Sequence, residues 1–99
     1  MPKSLILTED AQLDLDGAYQ WYEEQNQGLG QEFMRCIDAK ISEVNRNPLH
    51  HQIIYGDLVR RALTNRFPFS IYFVDEEELI TVFAILHQRR SPESWKSRT

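Results

Sequence analysis

Leu79-Ile80-Thr81-Val82-Phe83-Ala84-Ile85-Leu86 is an almost unbroken apolar run that stops at His87-Gln88-Arg89-Arg90 and is followed by Ser91-Pro92-Glu93-Ser94-Trp95. A run of this length, rich in Ile, Val and Phe, reads as a strand buried on both faces. Its exit therefore carries two adjacent arginines on a rigid support, which a hydrogen-bonding or electrostatic site requires. Working back along the chain, strands are expected over 52–55, 58–65 and 69–74, with the last over 79–87. They are separated by Gly56-Asp57, by Arg66-Phe67-Pro68 and by the acidic turn Asp75-Glu76-Glu77-Glu78. Connections this short make antiparallel neighbours.

The first half has a different period. A short apolar strand over 4–7 precedes Thr8, which can cap a helix whose first turn carries Glu9 and Asp10, the charge that a helix N-terminus favours. Ala11, Leu15, Ala18, Tyr19 and Tyr22 follow at helical spacing, so this helix runs to about Gln25. Asn26-Gln27-Gly28-Leu29-Gly30 breaks it, and Leu29, Phe33, Ile37, Ile41 and Val44 form a second stripe that ends at Asn47-Pro48. Two helices joined so closely form an antiparallel hairpin. The expected architecture is α+β of βααβββ type, with the helical hairpin packed on one face of an antiparallel sheet and a short C-terminal helical turn.

Composition narrows the function. The chain has 99 residues, 41% hydrophobic and 26% charged, which suits one domain over residues 1–99 and leaves no material for a cofactor-binding subdomain. A net charge of -4 and a pI near 5.3 argue against high-affinity nucleic-acid binding by the chain alone. The charge is uneven: acidic residues dominate the first half, while Arg60, Arg61, Arg66, Arg89, Arg90, Lys96 and Arg98 fall in the second. The lone Cys36 excludes an internal disulfide and a multi-cysteine metal site and reads as a small buried or half-buried hydrophobe. With no secretory h-region and no run of about 20 apolar residues, a cytoplasmic chain without a membrane span is expected.

Antiparallel order places Arg66, at the end of one strand, at the same edge as Arg89 and Arg90. Arg60 and Arg61 fall toward the Asp75 to Glu78 turn, where an exposed ion pair would add about 0 to 1 kcal/mol. Histidine is a residue type suited to general-base work, which makes His87 a candidate base with Arg66, Arg89 and Arg90 as phosphate clamps; the alternative is a strand-end histidine bonded to backbone. The His50-His51 pair lacks the spacing of a metal site and reads as a solvent-facing loop, so neither metal nor cofactor is expected. Tyr19, Trp21 and Tyr22 read as a core stripe. Ser91 and Pro92 open a last helical turn in which Trp95 folds back on the core edge, with target contact as its second reading.

Arg66-Phe67-Pro68-Phe69-Ser70-Ile71-Tyr72-Phe73 and the string from Ala84 through Arg89-Arg90-Ser91-Pro92-Glu93-Ser94-Trp95, behind a two-helix start, resemble the RelE/ParE toxin superfamily of type II toxin-antitoxin systems. The resemblance extends to Asp14-Leu15, Tyr22 and Asn47-Pro48. It implies a small toxin held inactive by a cognate antitoxin, on a βααβββ fold.

The superfamily divides by mechanism. Its ribosome-dependent messenger-RNA endonucleases resemble one another in a basic surface and a C-terminal tyrosine or histidine, since cleavage needs a base for the ribose 2′-OH and cations for the charge on phosphate. Here Ser70 stands where that branch carries a catalytic arginine, and Trp95 stands near its tyrosine. The chain is therefore more similar to the ParE branch, whose members poison DNA gyrase, with Arg66, Arg89, Arg90 and Trp95 as candidate target-binding residues. The alternatives are a ribosome-dependent endoribonuclease using His87, and an inactive member that survives as a binding module.

Overall fold

The computed structural model describes residues 3–99. Strand β1 (Ser4–Leu7) leads to helix α1 (Glu9–Gln25), α2 (Leu29–Arg46) and a 3-10 turn at Pro48–His50. Strands β2 (Gln52–Tyr55), β3 (Val59–Leu63), β4 (Phe69–Asp75) and β5 (Leu79–His87) follow, and α3 (Glu93–Lys96) closes the chain. The helix starts and stops have the expected causes. Thr8 is the N-cap of α1 and its Oγ1 accepts the Ala11 amide at 3.1 Å. Asn47, ahead of Pro48, ends α2.

The turn between the helices departs from the reading in one detail. Gly28, at φ 91, does break the chain, because that left-handed geometry suits a residue without Cβ. Gly30 lies inside α2, where a Cβ would stand 2.8 Å from the Tyr19 carbonyl oxygen of α1. It is a point of close helix approach. The Glu23 carboxylate accepts the amides of both Gly28 and Gly30 at 3.0–3.1 Å, so one side chain satisfies two of the open donors at the start of α2.

The sheet has five strands in the order β1-β5-β4-β3-β2. Four of them are antiparallel neighbours as expected; β1 is parallel to β5, with Ser4 opposite Leu79 and Leu7 opposite Val82, so the sheet is mixed. The physical reason is connection length. Short turns dictate antiparallel pairing only from β2 onward, whereas β1 reaches β5 after the hairpin and three strands, a separation that permits a parallel pair.

The strand over 79–87 is buried on both faces. Ile80, Val82 and Ile85 pack under the hairpin with Ala11, Leu15, Phe33, Ile37, Ile71 and Phe73. Phe83, Ala84 and Leu86 face the other side, where Val59, Tyr72 and Trp95 form a second cluster. Phe83 and Ala84 are consecutive yet join the same cluster because a register shift interrupts the β4–β5 pairing: Tyr72 opposes Ala84 while Phe73 opposes Val82. One extra residue in a strand reverses the in-out alternation beyond it. Since β1 ends opposite Val82, the outer edge of β5 is unpaired by strand from Phe83 to His87.

Candidate functional site

That open edge is one wall of a cleft. Its volume is about 460 Å³, and it lies between α1, through Leu13, Asp14, Gly17 and Trp21, and the end of β5, through Ile85, His87 and Arg90. The edge itself is closed by two side chains. Asp14 Oδ2 accepts the Ile85 amide at 3.0 Å, and Arg98 Nη1 donates to the Phe83 carbonyl at 3.2 Å. These residues also bind each other: Arg98 Nη1 and Nη2 donate to Asp14 Oδ2 and Oδ1 at 2.6 and 3.1 Å. A guanidinium in this two-point arrangement matches a carboxylate in both geometry and charge, and the Asp14 bond raises the Arg98 pKa above its usual value. The pair was not legible as a site. Its members are 84 positions apart and belong to no spaced motif.

Of the residues singled out in the sequence, His87 and Arg90 share the cleft. His87 Nδ1 accepts the Arg89 amide at 3.0 Å, which fixes the ring through its backbone bond, and Arg90 Nε donates to Ser94 Oγ at 3.3 Å. Arg66 reaches the same end of the sheet as expected. Gln88 ties the two loops together, its amide donating to the Pro68 carbonyl at 2.8 Å and its Nε2 to the Thr64 carbonyl at 3.3 Å. The Arg66 side chain, however, pairs with Glu32 of α2 at 2.9 Å and lies 5.2 Å above the Phe67 ring centroid. It therefore does not line the cleft with Arg90.

Trp95 is on the opposite face of the sheet. It is 6% exposed, stacks on Tyr72 at 5.1 Å and meets the edge of Tyr55 at 5.8 Å. Pro92 occupies the cap position of α3 without a side-chain bond, and Ser91 contributes only its carbonyl, to the Ser94 amide. The expected Ser91 hydroxyl cap is replaced by Trp95 packing, which already fixes the turn. Ser70 is 1% exposed at the second position of β4, paired across the sheet with Leu63 and Leu86.

Three other expectations change. Arg60 donates to the His51 carbonyl at 2.7 Å and Arg61 to Gln52 Oε1 at 3.4 Å, since the adjacent strand β2 is closer than the acidic turn. His51 is half-buried with its ring edge against Phe73 at 5.8 Å, and burial lowers its pKa. Trp21 is 57% exposed, because the α1 residues that enter the core are Ala11, Leu15, Ala18 and Tyr22, on an adjoining face of the helix. Cys36 is half-buried against the core, as read. Among the described residues, no group of three or more His, Cys, Asp or Glu is placed to hold a metal ion, and no helix is long and apolar enough to cross a membrane.

Residues 5–92 match the family described as ParE toxin of type II toxin-antitoxin system, parDE. The chain belongs to the ParE toxin family. It is thus a toxin of the type II toxin-antitoxin class within the RelE/ParE superfamily, closer to ParE. No curated protein matches it. Among solved structures, the chromosomal ParDE TA system from P. aeruginosa superposes with a TM-score of 0.77 at 22% identity, covering 86% of this chain and 95% of that one. The toxin-antitoxin complex RelBE2 from Mycobacterium tuberculosis gives 0.63 at 11% identity, covering 89% of this chain and 100% of that one. At these identities the likeness is one of fold.

Proposed function

We propose that this ParE-family toxin arrests growth by binding DNA gyrase, that a cognate antitoxin neutralises it, and that Arg89 and Arg90 at the exit of β5 contact the target. The carrying observation is the state of the two positions where a nuclease would need working groups. Ser70 is buried within the sheet and Trp95 is packed against Tyr72. Neither placement supplies a proton donor or cation to a phosphate, and cleavage of RNA needs both. His87 and Arg90 remain in the cleft, but Arg66, the third cation of a phosphate clamp, is engaged by Glu32. A rim of arginines on a rigid strand end is well suited to binding an acidic protein surface.

The test is expression in a bacterial host with and without the protein encoded by the adjoining reading frame. Growth arrest with filamentation and intact messenger RNA, relieved by that neighbour, is the expected outcome. Arg90→Ala should reduce toxicity with little change in stability, since its side chain is exposed and bonded only to Ser94 among the described residues. Codon-specific message cleavage that disappears in His87→Ala would overturn the proposal in favour of a ribonuclease.

A further inference from the structure

Arg89 and Arg90 stand on a turn that is fastened to the neighbouring loop at one residue. The Arg90 amide donates to the His87 carbonyl at 2.9 Å, which closes a four-residue β-turn with Gln88 and Arg89 at its central positions. The Arg89 amide donates to His87 Nδ1 at 3.0 Å. These bonds shape the turn, but a turn beyond the last β4–β5 pair, Phe69 with His87, is otherwise free to pivot about the strand end. Gln88 removes that freedom. Its backbone amide donates to the Pro68 carbonyl at 2.8 Å, and its side-chain Nε2 donates to the Thr64 and Phe69 carbonyls at 3.3 and 3.2 Å. Both side-chain partners are carbonyl oxygens, so it is the nitrogen of the Gln88 amide that faces them.

The loop that receives these bonds is itself fixed. Phe67 is buried, with T-shaped contacts to Tyr22 at 4.9 Å and Phe33 at 5.5 Å. Thr64 is 5% exposed and spends its hydroxyl inside the loop, donating to the Phe67 carbonyl and accepting the Phe69 amide at 3.2 Å. The Thr64 amide donates to the Phe69 carbonyl at 3.0 Å. The three carbonyls that meet Gln88 are thus held by the core side of the loop, and a group bonded to them inherits that rigidity. Gln88, by contrast, is exposed and belongs to neither hydrophobic cluster. Its bonds hold a position rather than a core.

We infer that Gln88 is a positioning residue for target binding: by bonding the 87–90 turn to the 64–69 segment it sets the direction in which Arg89 and Arg90 leave β5, so that turn and loop meet the target as one rigid unit. This rests on the reading above in which the two arginines contact the target, and adds the residue that sets their geometry. An arginine on a pivoting turn must be ordered at the moment of binding, whereas on a fastened turn that ordering is complete in the free toxin. The side chain has to be a donor of this length. Glutamate would turn an acceptor toward two carbonyls, and a shorter amide would not span both.

Two arms test it with Gln88→Met, which keeps the length, removes the side-chain donor, adds no charge and leaves the backbone amide in place. In the first, backbone relaxation is measured on the free toxin. The order parameters of the Arg89 and Arg90 amides should fall from the rigid value of about 0.85 toward about 0.6, with Val82 and Ile85 in β5 unchanged. The thermal midpoint should fall by no more than about 8 °C, the shift for an exposed hydrogen bond in a domain of this size. Unaltered Arg89 and Arg90 amides overturn the inference, and so does a variant that fails to fold, which would make Gln88 a structural residue. In the second, inhibition of gyrase supercoiling is compared for wild type, Gln88→Met, Arg90→Ala and the double variant. Gln88→Met should weaken inhibition by about tenfold in the wild-type background and by less than about threefold beside Arg90→Ala, where only Arg89 is left to position. A merely structural role lowers the active fraction equally in both backgrounds, so losses that multiply overturn the inference. A wild-type toxin that leaves supercoiling untouched contradicts the gyrase reading alone, and the order parameters then decide the role of Gln88.

Discussion

Three side chains have roles that single substitutions separate. Trp95→Ala removes a buried indole from between Tyr72 and Tyr55 and should cost about 2 to 4 kcal/mol in urea unfolding, with Trp95→Phe recovering part of it. Arg98→Ala leaves Asp14 with one bond fewer at each oxygen and frees the Phe83 carbonyl, so a loss of about 1 to 3 kcal/mol is expected. Arg98→Lys should recover less than the retained charge suggests, because an ammonium cannot make the two-point contact. For His51, burial lowers the folded pKa below its ordinary value of 6.5. The unfolded chain then binds the proton more readily, so this contribution is complete above pH 6.5 and is lost as pH falls through the folded value. Thermal midpoints should drop over that interval in wild type and drop less in His51→Gln; identical profiles would contradict the assignment. Glu43, lowered by its bond to Lys40, acts in a more acidic range and does not mask the effect. Trp95 was legible at this scale, because an isolated aromatic behind Ser91-Pro92 has few places to go. Asp14 with Arg98, and the exposure of Trp21, were not: the first depends on chain ends meeting, the second on which of two apolar helix faces the sheet selects.

At the scale of elements, helix boundaries were the most readable feature. Thr8 and Asn47-Pro48 act through local backbone chemistry that does not depend on the rest of the fold. The parallel β1–β5 pair was not readable, because no local signal says which strand a four-residue segment joins across a long connection. The two helical glycines, Gly17 in the middle of α1 and Gly30 in the first turn of α2, give opposite tests of packing. Gly17→Ala replaces a poor helix former at an open site and should stabilise by about 1 kcal/mol. Gly30→Ala presses a methyl group toward the Tyr19 carbonyl at 2.8 Å and against the Glu23 carboxylate at 3.0 Å, so it should destabilise by about 1 to 3 kcal/mol. Chemical denaturation of both variants checks the pair; a stabilising Gly30→Ala would mean that the helices separate easily at the turn.

At the scale of the molecule, the fold carries a division of labour. The hairpin side of the sheet holds the larger core and the cleft between α1 and β5, the Trp95 side closes the second face, and the end of β5 projects Arg89 and Arg90. The family was legible from two C-terminal strings because they encode this strand and its exit together. The geometry of the site was less so, since Arg66 shares an edge with Arg90 yet is drawn to Glu32 on α2. The central claim is that the β5 exit works by binding gyrase. It is tested most directly by a gyrase supercoiling assay on relaxed plasmid with increasing purified toxin, wild type beside Arg90→Ala. Inhibition of supercoiling or trapped cleaved DNA with wild type, weakened by about tenfold or more in Arg90→Ala as for loss of a charged contact, is the predicted result. Unimpaired supercoiling at toxin concentrations well above those that arrest growth would contradict it.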